Sequence, residues 1–193
     1  ITVNDLLPTL SYSPNDLVLT RGLQSNDLPL NATLTGVGEI TSWEINGSLP
    51  AGLNFGSNNG TIWGIPTVLQ TSSVTYTIWA NNSGGSSSAT VNITILEEIA
   101  SIGYNPSSVT IVRGYDMANI SVTKTGGIVV SWEISPSLPS GLSFDNGTIY
   151  GRPFTNMSAT TYTVYANNSG GSASAGLTLT INEPTPNIDY NPD

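Results

Sequence analysis

The chain repeats itself. Tyr12-Ser13-Pro14 returns as Tyr104-Asn105-Pro106, 92 residues on, and Trp43-Glu44-Ile45 returns as Trp132-Glu133-Ile134, 89 residues on. Leu49-Pro50-Ala51-Gly52-Leu53 is answered by Leu138-Pro139-Ser140-Gly141-Leu142, and Gly60 to Pro66 by Gly147 to Pro153. Ala80 to Ser86 comes back intact as Ala166 to Ser172, now 86 residues on. The offset shrinks stepwise, so short deletions fall between the motifs, where loops belong. Self-similarity of this kind means two copies of one domain. Each copy is long enough to bury a core without a disulfide or metal staple.

The ends extend the pattern. Ile1-Thr2-Val3 matches Ile93-Thr94-Ile95, and Ile188-Asp189-Tyr190-Asn191-Pro192 matches Ile102 to Pro106. The expected organisation is therefore a preceding repeat's tail and linker over 1–8 and a first repeat over 9–98. A second repeat over 99–183 and a linker with the head of a following repeat over 184–193 complete it. On this reading the parent array continues in both directions.

Strand signals are dense and helix signals nearly absent. Val109 to Val112, Ile120 to Thr123 and Val129 to Ile134 are short and rich in β-branched residues, as strands are. Tyr162, Val164 and Ala166 alternate with Thr163 and Tyr165, the period of a half-buried strand. Asn59-Gly60 and Asn146-Gly147 sit between extended runs and predict tight hairpin turns with both central residues at positive φ. Asn168-Ser169-Gly170-Gly171 predicts another turn before a final strand over Ser172–Ile181. Several short strands within each repeat, divided by turn chemistry, define an all-β chain of two tandem immunoglobulin-like sandwiches. Seven or so strands are expected in each, with no helix longer than a turn or two. Trp43 and Trp132 share a face with Ile45 and Ile134, which places both indoles in the core.

Charge removes whole classes of function. Only 9% of residues are charged, against about 25% in an average soluble protein. The net charge is −9, and Arg21, Arg113, Lys124 and Arg152 supply the four positive charges. Nucleic-acid binding needs a basic patch to displace counterions, and four scattered cations do not make one. The same deficit opposes attraction to anionic lipid surfaces. No apolar run approaches the ~20 residues that span a bilayer. With no Cys and no His, disulfides, thiolate chemistry and the commonest general base are absent.

The run from Trp132-Glu133-Ile134 through Leu138-Pro-Ser-Gly-Leu142-Ser-Phe144 to Gly147-Thr-Ile-Tyr-Gly-Arg-Pro153 resembles the putative Ig family of bacterial and archaeal surface proteins, related to the cadherin-like domains of dystroglycan type. Tyr162 to Ser172 is similar to that family's closing hairpin. The likeness covers both repeats in order. It implies tandem modules in adhesins, surface-layer proteins, stalks and appended domains of secreted enzymes. Calcium-binding relatives carry an Asp soon after the alternating strand, where this chain has Asn81-Asn82 and Asn167-Asn168.

The candidate chemistry is thin. Glycosidases need two facing carboxylates, but the thirteen acidic residues are spread along the chain. Glu44 and Glu133 each follow a core Trp and so point outward. No serine has a histidine to activate it. The chain is not expected to be an enzyme, and no resident cofactor is expected. Glu97 and Glu98 with Asp116, Asp5 with Asp16, and Glu183 with Asp189 are the only sets from which a junction calcium site could draw oxygens. Repeat one has no Lys, and Lys124 lies in a polar turn, so a Lys–Asn crosslink is not expected.

Nine Asn-x-Ser/Thr sequons stand at Asn31, Asn46, Asn59, Asn81, Asn92, Asn119, Asn146, Asn156 and Asn167. By parity Trp63, Trp79, Tyr150 and Tyr165 face outward. They form either cross-strand pairs capping a sheet or surfaces for sugar rings or a neighbouring subunit. The long, Pro-free runs Ser86–Ile95 and Ser172–Ile181 are expected to be exposed sheet edges able to meet other copies. The reading that follows is a structural repeat of an extracellular cell-surface array, such as a stalk, sheath or filament subunit. An adhesin module binding glycan or protein is the alternative. Partners are then copies of the chain, neighbouring repeats or glycans, with no nucleic acid and no membrane insertion by this segment.

Overall fold

The computed structural model describes residues 4–36 and 38–188. Ile1-Thr2-Val3 and most of the expected following repeat, Asp189 to Asp193, lie outside them. The chain divides into two compact units, Ile1–Glu97 and Glu98–Asp193. No helix occurs among the described residues.

The first unit contains β1 (Thr9–Ser11), β2 (Asp16–Thr20), β3 (Thr33–Thr35), β4 (Ser42–Ile45), β5 (Leu53–Phe55), β6 (Ile62–Gly64), β7 (Gln70–Asn82) and β8 (Gly85–Leu96). The second repeats the order as β9 (Ser101–Gly103), β10 (Ser108–Val112), β11 (Thr123–Thr125), β12 (Ser131–Ser135), β13 (Leu142–Asp145), β14 (Thr148–Gly151), β15 (Met157–Asn168) and β16 (Gly171–Asn182). Eight segments replace the expected seven because the first strand is cut in two at Pro14 or Pro106. Its first half pairs antiparallel with β3 or β11, and its second half crosses to the other sheet to pair in parallel with β8 or β16. Proline supplies no ladder donor, so the switch falls there.

One layer of each sandwich is four-stranded, β2-β8-β7-β4 and β10-β16-β15-β12. In the first unit the facing layer runs from β1-β3 through a bridge between Leu30 and Ile62 to the β5–β6 hairpin; in the second, a bridge between Ile120 and Ile149 does the same. The strand expected over Ile120–Thr123 is this single bridge, and β11 begins only at Thr123.

Alternation fills the core. Tyr76, Ile78 and Ala80 of β7 share the inward face of the sheet with Val91, Ile93 and Ile95 of β8, and all six are buried. Tyr162, Val164, Ala166, Leu177, Leu179 and Ile181 do the same in the second unit. The two cores are not equally closed. Fifteen buried residues form one cluster in the first, whereas the second holds separate clusters of four and three.

Two expectations need correcting. Only the C-terminal parts of β8 and β16 are interior, where β2 and β10 lie alongside them in parallel register over Asn92–Leu96 and Thr178–Asn182. Among the described residues the first halves, Gly85–Val91 and Gly171–Leu177, are laddered to β7 or β15 alone, and the short β2, β4, β10 and β12 supply the other edges of the four-stranded sheets. The Asn59-Gly60 turn also differs from its counterpart. Asn146 and Gly147 both take positive φ, 47° and 78°, as the two-residue hairpin requires. In the first unit only Gly60 does, at 69°. That hairpin has a longer loop, closed by the Gly60 amide donating to the Gly56 carbonyl and the Gly56 amide to that of Thr61.

Candidate functional site

A tyrosine, a glycine and a tryptophan organise the same corner of both sandwiches. Tyr12 Oη donates to the Gly60 carbonyl at 2.7 Å, and Tyr104 Oη to that of Gly147 at 2.6 Å. A Cβ on Gly60 would lie 2.4 Å from the Trp43 ring, and one on Gly147 2.9 Å from the Trp132 ring. The glycines are thus required by backbone sign and by the indole packed on them. Burial raises the Tyr12 phenol well above its ordinary pKa and pushes Tyr104 up to about 12. Trp43 is buried as expected. Trp132 is only partly so, beside a small cleft lined by Val130, Phe144 and Asn146.

The asparagines at the end of the alternating strand tie down neighbouring chain. Asn82 Oδ1 accepts from the Gly84 and Gly85 amides, and its Nδ2 donates to the Leu6 carbonyl at 2.8 Å. Asn168 Oδ1 accepts from Gly170 and Gly171, while Nδ2 donates to the carbonyls of Glu98, at 2.6 Å, and Ile128, at 3.1 Å. A carboxylate could accept the two amides but could not donate to the carbonyls.

Four of the carboxylates named for junction calcium are engaged elsewhere. Glu97 meets Arg21 at 2.5 Å, and Glu183 meets Arg113 at 2.6 Å. Asp16 accepts from Asn92 at 2.6 Å and Asp5 from Ser83 at 2.7 Å. Glu98 and Asp116 are exposed, and Asp189 lies outside the described residues. Among the described residues no three potential metal-ligating side chains gather.

The outward aromatics do not pair as envisaged. β6 and β7 belong to different layers, so Trp63 and Trp79 are not cross-strand neighbours. Trp63 stands opposite Asn54, and Trp79 between Glu44 and Ser88. Tyr150 likewise faces Ser143, and Tyr165 lies between Glu133 and Ser174. Trp63 is 42% exposed, Tyr150 41% and Tyr165 36%, while Trp79 is half-buried on the same outer face as its counterpart.

The sequons split by environment. Asn31, Asn46, Asn59, Asn119, Asn146 and Asn156 are exposed. Asn81, Asn92 and Asn167 are half-buried in strands, with Nδ2 bonded to Glu44, Asp16 and Glu133.

One feature was not legible beforehand. In the second unit an open cavity of about 900 Å³ runs between β10 and residues 117–121, bordered by Asn182 to Thr185. Counting back two residues from the bridging Leu30 and Ile120 aligns Leu28 with Ala118. Leu28 is buried, and Leu17 and Leu19 beneath it are almost inaccessible. Ala118 is exposed, and Val109 and Ile111 are left half-buried. The signal was the segment's shortening from Arg21–Leu30 to Arg113–Ile120.

The sheet order, the strand that changes layers and the packed tryptophan define the chain as two tandem immunoglobulin-like β-sandwiches. It belongs to the family described as "Putative Ig domain", whose model matches residues 8–96 and 100–182. The "Serine-rich adhesin for platelets" of Staphylococcus aureus strain MRSA252 is 33% identical over 162 residues, 78% of this chain and 11% of the adhesin. Its counterpart in strain USA300 is 32% identical over the same length, covering 7% of that protein. The chain thus spans about a tenth or less of the relatives it matches. Among solved structures, the titin domains Z1Z2 in complex with telethonin align over 91% of this chain and 98% of theirs, at 19% identity and a TM-score of 0.43. Four amino-terminal Ig domains of Dscam1 isoform 4.44 align over 94% of this chain and 47% of theirs, at 18% identity and a TM-score of 0.41.

Proposed function

We propose that the chain is a structural repeat pair from an extracellular cell-surface array, serving as a stalk, sheath or filament segment. One observation carries this: the same Ig-like module occurs twice in succession, and 78% of the chain aligns to 11% of a much longer adhesin. A module reused in series contributes length, and its stability comes from each unit's own core. The hydroxyl-rich composition, with only 9% of residues charged, suits a secreted scaffold more than an enzyme. The name of the staphylococcal relatives favours a second reading, an adhesive module that presents a ligand-binding face. Immunogold labelling of intact native cells, together with imaging for ordered filaments, tests the first. Label confined to the cell interior overturns both readings. Surface label without ordered assemblies leaves the adhesive one.

A further inference from the structure

Each unit carries on the outer face of its four-stranded sheet the same six-residue array. In the first, Glu44, Trp79 and Ser88 lie in one row across β4, β7 and β8, and Ser42, Asn81 and Ser86 in the next. In the second, Glu133, Tyr165 and Ser174 lie in one row across β12, β15 and β16, and Ser131, Asn167 and Ser172 in the next. Five of the six positions are identical, and the sixth exchanges one aromatic for another. The internal bonds are reproduced too. Asn81 Nδ2 donates to Glu44 Oε1 at 2.9 Å and Ser42 Oγ at 3.0 Å; Asn167 Nδ2 donates to Glu133 Oε1 at 3.2 Å and Ser131 Oγ at 3.5 Å. Exposed polar pairs of this kind add little stability, about 0–1 kcal/mol. Folding therefore gives weak reason to keep them while the Leu28 and Ala118 regions diverge.

We propose that this array is a binding site, one per unit, for a neutral hexopyranose of a glycan. Three strands span ~10 Å and successive outward residues ~7 Å, so the ring, the carboxylate and the hydroxyls fall within a sugar-sized patch. An aromatic face takes the C–H face of a pyranose, and its flat, rigid body costs little entropy to order. The amide orients one carboxylate oxygen, leaving Glu44 Oε2 and Glu133 Oε2 to accept from adjacent hydroxyls, with the flanking serines donating or accepting as needed. Charge selects the sugar class. The array holds a carboxylate, the chain carries −9, and Arg21 and Arg113 are paired with Glu97 and Glu183. Uronic and sialic acids are repelled.

The test is amide and indole chemical-shift mapping of the two-repeat chain with laminarihexaose, cellohexaose and mannohexaose, each to about 10 mM, the range of weak single-site affinity. Polygalacturonate serves as the acidic probe. At least one neutral probe is expected to shift β4, β7 and β8 with their second-unit counterparts, and the acidic probe to shift neither. Trp79→Ala with Tyr165→Ala, and separately the isosteric Glu44→Gln with Glu133→Gln, should each weaken binding at least tenfold while the remaining resonances hold. Four results overturn the proposal: no shift with any neutral probe, shifts centred elsewhere, equal response to polygalacturonate, or sugar-independent changes at the array that grow with protein concentration. The last would make this face a contact between copies.

Discussion

Tyr104 Oη donates to the Gly147 carbonyl at 2.6 Å across 43 residues of chain. Tyrosine loses a proton more readily unfolded, near its ordinary pKa of 10, than folded, where burial pushes it up to about 12. A raised folded pKa means the folded state binds the proton more tightly, so the contribution is complete below pH 10 and falls as pH rises towards 12. Tyr104→Phe should cost about 0.5–1.5 kcal/mol at neutral pH. It should also flatten the alkaline limb of a denaturation series measured from pH 8 to 12.

Gly147→Ala should destabilise the second unit by about 2–5 kcal/mol. The left-handed backbone contributes about 1–2, and crowding against Trp132 and Val122, 2.9 and 2.5 Å from the new methyl, about 1–3. Gly114→Ala is the control. Its φ of 81° is similar, but nothing lies within 4 Å, so only the backbone part should appear in chemical denaturation.

Trp43→Ala should cost about 3–5 kcal/mol, as truncation of a buried aromatic does. Trp132→Ala should cost about 1 kcal/mol less, because Trp132 is partly solvated already. Hydrogen exchange of core amides in β7 and β15 reads the two effects separately within the intact chain.

Asn168→Asp should destabilise by about 1–3 kcal/mol, since the Glu98 and Ile128 carbonyls lose their shared donor and gain a nearby carboxylate. Asn82→Asp, which removes the bond to the Leu6 carbonyl, should cost less. Thermal melts of the two variants make the comparison.

Glycopeptide mass spectrometry of native material should find sugar among Asn31, Asn46, Asn59, Asn119, Asn146 and Asn156, and none on Asn81, Asn92 or Asn167. The amide nitrogen takes the sugar, and in the last three it is held by a carboxylate inside a strand. Substantial occupancy at Asn167 would show that modification precedes sheet formation.

What the sequence by itself determined was local or repeated. The doubled motifs defined two sandwiches, and the alternation of Tyr162, Val164 and Ala166 assigned their inward face, because side chains on a strand must alternate. Asn146-Gly147 declared its turn because few residues accept two positive φ angles. What only the tertiary structure decided depends on which segments lie side by side, up to 76 residues apart in the case of Asp16 and Asn92. The parallel pairing of β2 with β8 covered the last five residues of an expected edge. The division into layers separated Trp63 from Trp79. The lost two residues before Ile120 opened a cavity where Leu28 closes the first core. Such pairings are set by how whole sheets pack, and period-two patterning is blind to which strand lies alongside.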